Sequence, residues 1–273
     1  MNKPEMILRN WIDLNKLNLN FLSGNPNAID LIPTIKICWF NLCANPNAIH
    51  LIEKNFDKIE WYSLSLNPNA IHLLEKNLDK IDWSGLSRNP NAIHLLEKNL
   101  DKIDWSGLSR NPNAIHLLEK NFEKINWSLL SMNEKAINLL ERNPEKINWC
   151  GLSTNPNAIH LIERNLNKID WSLLSMNENA INLLKRNHEM IDWNFLILNK
   201  NISILELLEN NPEKIDKIDW CQLASNPIIF TYDYEKMKRN NEEFYEDLIK
   251  EVMKPSRVFK NPDYDYLEEL FGD

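Results

Sequence analysis

A block of 22 residues returns along most of this chain, and such a period constrains the fold more tightly than any other feature. Residues 78–99 read LDKIDWSGLSRNPNAIHLLEKN, and residues 100–121 repeat them without a change. The block NPNAI or a variant starts at Asn25, Asn45, Asn67, Asn89, Asn111, Asn133, Asn155, Asn177 and Asn199, with a degenerate copy at Asn226. Trp recurs in register from Trp39 to Trp193 every 22 residues, and Trp220 follows a five-residue insertion. A unit this short cannot bury its own apolar face, so the units must stack and fold as an array.

Numbered from its first Asn, the unit reads NPNAIHLLEKNLDKIDWSGLSR. Asn at position 1 predicts a helix N-cap, and Pro at position 2 suits the first helical residue. Where Pro is missing, Glu134 and Glu178 place negative charge at the positive helix end. On a helix over positions 4–11, Ala, Ile, the two Leu and the closing Asn share one face, with His, Glu and Lys opposite. Asn at position 11 predicts a left-handed stop. Asp, Asn or Glu at position 16 predicts the cap of a second, shorter helix, with the Ile, Trp and Leu of positions 15, 17 and 20 closing the core. Isolated helices under about 12 residues are marginal, so stacking must supply the burial.

The expected fold is all-α: a right- or left-handed α-solenoid of about ten short two-helix repeats with terminal caps. Residues 1–24 form an N-terminal cap and half repeat, with Leu19 in the Trp position and Trp11 out of register. Residues 25–228 carry the tandem repeats, and 229–273 a C-terminal capping helix and acidic tail. Tyr234, Met237, Asn241, Phe244, Leu248 and Val252 mark one stripe of that helix, and Pro255 ends it. At about 8–10 Å per layer, ten units predict a rod or arc on the order of 80–100 Å long.

Composition narrows the partners. The net charge of −8 disfavours a nucleic-acid grip, which needs a Lys and Arg excess to neutralise phosphates. No apolar run approaches the roughly 20 residues of a membrane span, and the first residues, MNKPEMILRN, show no secretion signal. Cys38, Cys43, Cys150 and Cys221 form no regular framework, which predicts reduced thiols.

The NPNAIHLLEKN…KIDW unit, followed by SNPIIFTYDYEKMKRNNEEFYEDLIKEVMKPSRV, resembles a repeat family encoded many times over by giant DNA viruses of amoebae. The resemblance implies a helical repeat fold and an intracellular setting during infection, in host cytoplasm or packaged in a virion. It implies no activity and no functional residues. A weaker likeness, to leucine-rich variant repeats, supports architecture alone.

Each chemical candidate has a plainer reading. The row His50, His72, His94, His116 and His160 puts one imidazole per layer. At about 8–10 Å apart these cannot share an ion whose Zn–N bonds are about 2.0–2.1 Å. A solvated surface row is expected. The Trp ladder reads as core packing and not as a stacking platform. Adjacent charges at positions 9, 10, 13 and 14 read as a solvated face. No phosphate loop, HExxH or GxSxG motif occurs. The expectation is a non-enzymatic scaffold without cofactor or metal, whose outward face binds a protein. That face comprises His72, Glu75, Lys76, His94, Glu97, Lys98, His116, Glu119 and Lys120. The alternatives are a nucleic-acid-binding array reading one base per repeat, or a structural component of a viral particle.

Overall fold

The structure, a computed structural model, describes residues 6–32, 35–215 and 218–252, with the backbone alone for residues 243–245, 247–249, 251 and 252. It divides into two compact units, Leu8–Phe230 and a smaller one of Met1–Ile7 with Thr231–Asp273. The fold is an all-α solenoid, with short helices packed in chain order. Among the described residues the strands are β1 (Met6–Leu8) and β2 (Phe230–Tyr232), which pair in a two-stranded sheet.

One repeat shows how local chemistry writes the path. Asn67–Ala70 closes as a tight turn, in which the Ala70 N–H donates to the Asn67 carbonyl at 3.1 Å. The first helix, Ile71–Glu75, covers barely more than one turn, followed by a 3-10 turn, Leu78–Lys80. The second helix, Trp83–Arg88, starts where the Asp82 carboxylate accepts the Gly85 N–H at 2.8 Å. Position 16 is thus the cap that the sequence predicts; Asp104, Asn126 and Asp170 cap the same way.

Two local expectations fail. The first helix spans positions 5–9, as in Ile71–Glu75 and Ile93–Glu97, and not 4–11. Position 1 caps a turn: Asn67 Oδ1 accepts the Asn69 N–H at 3.0 Å, while both Asn side-chain amides are held by the preceding unit. Those anchors hold NPNA in a turn that the α-helix cannot enter. Position 11 is not left-handed either. Asn77 has φ −139° and ψ 50°, and its Nδ2 donates back to the Leu73 carbonyl at 2.8 Å, closing the helix by a side chain. No described residue has positive φ.

Units are joined by a relay of buried asparagines. Asn89 Nδ2 donates to the Asn67 carbonyl and to the Ser65 carbonyl, both at 2.9 Å. Asn111 does the same to Asn89 and Ser87, at 2.8 and 3.0 Å. Position 3 adds a second rail, in which Asn91 Nδ2 donates to the Pro68 carbonyl at 2.8 Å. Position 21 adds a third, in which the Asp104 N–H donates to Ser87 Oγ and Ser87 Oγ to the Trp83 carbonyl. Between the rails lies a continuous core: Ala92, Leu96, Leu108, Ala114 and Leu118 are fully buried. Each such Leu contributes about 1.5–3 kcal/mol of burial.

The relay does not end; it closes. Asn226 Nδ2 donates to the Asn199 carbonyl, and Asn25 Nδ2 donates to the Asn226 and Ala224 carbonyls at 3.0 and 2.9 Å. The second rail closes likewise, from Asn27 Nδ2 to the Pro227 carbonyl at 3.1 Å. Arg9 Nε donates to the Ile228 carbonyl at 2.7 Å, and Trp11 meets Trp220 edge-on with ring centres 6.4 Å apart. The Leu8–Phe230 unit is therefore a closed ring of ten repeats, and its tenth is assembled from Asn226–Ile229 and the N-terminal half repeat through Gly24. This corrects the expectation of an open rod or arc with two caps: the first and last stretches of the array complete one another. In the smaller unit, Asp233 caps the helix Tyr234–Val252, accepting the Lys236 N–H at 2.9 Å. Met237 is half-buried, whereas Tyr234 and Asn241 are exposed. The side chains of Phe244, Leu248 and Val252, and the acidic tail over 256–273, lie outside the described residues.

Closure has a thermodynamic signature. Asn111→Ala leaves two buried carbonyls without their donor, at about 1–3 kcal/mol for each group left unpaired. Asn25→Ala, at the seam, is expected to cost as much in a urea melt. An Asn25→Ala protein as stable as the parent, beside a destabilised Asn111→Ala protein, would mean an open array.

Candidate interaction surface

Three surfaces repeat around the ring. The first is the charged row that the sequence predicts. His72, His94 and His116 are exposed, as are Glu75, Glu97, Glu119, Lys76, Lys98 and Lys120. The row is organised, because each His meets a Glu of the preceding unit: His94 Nε2 lies 2.8 Å from Glu75 Oε1, and His116 Nε2 2.9 Å from Glu97 Oε1. His72 reaches Glu53 and His160 reaches Glu141. Where position 6 is Asn138, Arg142 takes over and pairs with Glu119. Lys76, Lys98 and Lys120 have no partner among the described residues. Pairs this exposed contribute about 0–1 kcal/mol each, so the row is a solvated face with an ordered charge pattern.

The second surface was not legible as one. At position 12, Phe56, Leu78, Leu100 and Phe122, each opening a 3-10 turn, and Leu166 in a plain turn are all 40% exposed or more. They lie two residues beyond the Glu–Lys pairs of the charged row, so apolar and charged positions form one band. Phe56 and Phe122 sit edge-on to Trp61 and Trp127 of their own units, at 5.7 and 5.2 Å. A shallow groove lined by Ser172, Met190, Ile191, Trp193 and Lys214 lies further along, around the Trp of position 17.

Position 14 explains how the Trp ladder is finished. Trp61, Trp83, Trp105 and Trp127 pack on the core but stay half-buried. The Lys of the next unit lies over each outer ring face: Lys102 Nζ is 4.7 Å from the Trp83 ring centre, and Lys124 Nζ 4.5 Å from that of Trp105. At the seam Lys16 covers Trp220 at 4.9 Å. Position 14 thus joins neighbouring units through a cation–π contact worth about 0.5–1 kcal/mol at an exposed site. The fixed 19-residue offset from Trp83 to Lys102 was in the sequence, but only the stacking of units turns that offset into a contact.

The third surface is the inner wall. Around a closed circle, neighbours approach in proportion to their radius. The second helices of adjacent units pack directly on one another, whereas the first helices stand further apart, so the second helices sit inside. Gly85 and Gly107 permit that approach: a Cβ on Gly85 would lie 2.7 Å from the Tyr62 carbonyl oxygen. Positions 18 and 22, one helical turn apart, share the exposed face of this wall. Cys150 and Cys221 occupy position 18 and are exposed, whereas Cys43 is buried and burial pushes its thiol pKa up. All four cysteines are free thiols, as their spacing predicts.

No group of three or more His, Cys, Asp or Glu among the described residues is placed to hold a metal ion. No described helix is long and apolar enough to cross a membrane. No family model, curated protein or solved structure matches the chain.

Two outcomes follow from this geometry. In urea melts Leu108→Ala should cost about 2–5 kcal/mol as a fully buried leucine. Trp105→Ala, half-buried, should cost about 2 kcal/mol, below the usual range for buried aromatics, and His116→Ala about 0.5 kcal/mol or less. A different ranking would reverse the assignment of faces. With a thiol-reactive dye, Cys150 and Cys221 should label at once in the folded protein and Cys43 only on unfolding; early labelling of Cys43 would mean that the inner helices open readily.

Proposed function

We propose that this protein is a non-enzymatic ring scaffold that binds another protein along the band formed by positions 9, 10 and 12. The observation that carries the proposal is the row of exposed apolar side chains, Leu78, Leu100 and Phe122 among them, flanked by Glu75–Lys76, Glu97–Lys98 and Glu119–Lys120. Exposed apolar side chains rimmed by charge are the usual composition of a protein-binding patch. Repetition at fixed pitch spreads the contact over several units, so that affinity comes from many modest contacts. The resemblance to repeat proteins of giant amoebal viruses supports an infected-cell setting, and a place in the viral particle differs from this reading only in the partner.

The test is affinity capture from infected amoebae with mass spectrometry, using the parent protein and two variants. One carries Leu78→Glu, Leu100→Glu and Phe122→Glu; the other reverses the charges of the three Glu–Lys pairs. Both alter exposed residues, so circular-dichroism melts should stay within about 0.5 kcal/mol per site of the parent. Each variant should lose the partner that the parent captures, whereas a change in one unit alone should leave capture nearly intact. Capture of the same partner by both triple variants would place binding elsewhere on the protein.

A further inference from the structure

The inner wall differs in chemistry from the rest of the surface. On a chain of net charge −8, positions 18 and 22 carry no Asp or Glu in any of the ten repeats. One sector is specialised. Phe40 and Tyr62, at position 18 of adjacent units, are exposed and stacked, with ring centres 6.3 Å apart and planes 14° from parallel. The next two units place Arg88 and Arg110 at position 22, both exposed, and neither guanidinium has a partner among the described residues. The Arg88 side chain lies across Gly107, whose missing Cβ would meet its Cγ at 3.1 Å. Ser84 and Ser106 take position 18 in the two units that carry the arginines. At position 16 of the same units, the Asp82 carboxylate accepts the Gly85 N–H, and that of Asp104 accepts the Ser106 N–H and the Ser84 hydroxyl.

Closure fixes the scale of this wall. Ten side chains spaced like Phe40 and Tyr62 lie on a circle about 20 Å across, which leaves roughly 15 Å after van der Waals contact. That width exceeds the 10–12 Å or so of an α-helix but is too narrow for a nucleic-acid duplex. A stacked aromatic step followed by two free guanidiniums, one per unit, is the pairing by which single strands are held: bases stack on the rings and phosphates meet the cations.

We propose that the inner wall from Phe40 to Arg110 binds a short stretch of single-stranded nucleic acid, with bases on Phe40 and Tyr62 and two phosphates on Arg88 and Arg110. An acidic peptide would satisfy the arginines but gives the parallel aromatic step nothing flat to stack on. The net charge opposes long-range attraction, so binding is local and depends weakly on salt.

Fluorescence anisotropy with a labelled single-stranded oligothymidylate at low and rising salt tests this. Two phosphate contacts predict a log–log salt slope of about −1.4, from about 0.7 per phosphate of a single strand. Arg88→Ala and Arg110→Ala should each remove about half of that slope. Phe40→Ala and Tyr62→Ala should weaken binding about tenfold each at unchanged slope. All four side chains are exposed, so melts report that folding is kept. Absent binding at low salt, equal binding of the duplex, or a slope that the Arg variants leave unmoved would overturn the proposal. So would a polyglutamate peptide binding as tightly with the same Arg dependence, which would make the wall a site for acidic peptides.

Discussion

The structure depends on one side chain used ten times. A buried Asn at position 1 must place its amide, because a polar group without water or partner costs more than the hydrogen bond returns. Here each amide bridges two carbonyls, at position 1 of the preceding unit and position 21 of the unit before that, while its oxygen holds its own turn, so nearly every hydrogen-bonding atom of the side chain is used. The interaction has direction, donor in one unit and acceptor in the one before, and thereby fixes how each unit sits on the last. Helices of one or two turns supply apolar surface but little orientation of their own. The relay supplies the orientation, and a constant orientation repeated ten times brings the last unit against the first.

The remaining inter-unit contacts read as consequences of that placement. Once the relay sets the pitch, Lys124 falls over the Trp105 ring and His116 beside Glu97, each through a side chain long enough to span the gap. At Gly85, Gly107 and Gly151 the inner helices come close enough that a Cβ would crowd its neighbours, whereas other units carry Ser63, Leu129 or Leu173 at this position. Where Ser63 stands at the same position its hydroxyl is buried without a partner, a local cost that the surrounding packing must offset. The split repeat at the seam gives the ring the same junction throughout, so neither end of the array presents the bare core edge that an open solenoid must cap.

Function is distributed in the same way. Side chains at positions 1, 8, 20 and 21, which hold units together, are buried, whereas the rail at position 3 is exposed. The outer band keeps Glu, Lys and an apolar residue through several consecutive units, which suits a partner that lies along it. The inner wall instead changes character by sector, aromatic at Phe40 and Tyr62 and cationic at Arg88 and Arg110.

Much of the unit was legible in the chain itself. The 22-residue period and the apolar Ala at position 4 and Leu at positions 8 and 20 follow from propensity and from the faces that a helical period creates. So do the Asp or Asn cap at position 16 and the solvated row at positions 6, 9 and 10. The same propensities misjudged Asn67 and Asn77, because an asparagine can cap locally or donate across units, and only the neighbouring carbonyl decides. A clue was present: Asn persists at position 1 even where Pro gives way to Glu134, Glu178 or Lys200, which a helix cap alone would not demand. Closure was beyond reach in principle. It is the sum of ten small rotations between units, each set by hydrogen bonds and packing across an interface that no single stretch of sequence contains, and it alone separates a ring with an inner wall from a rod without one.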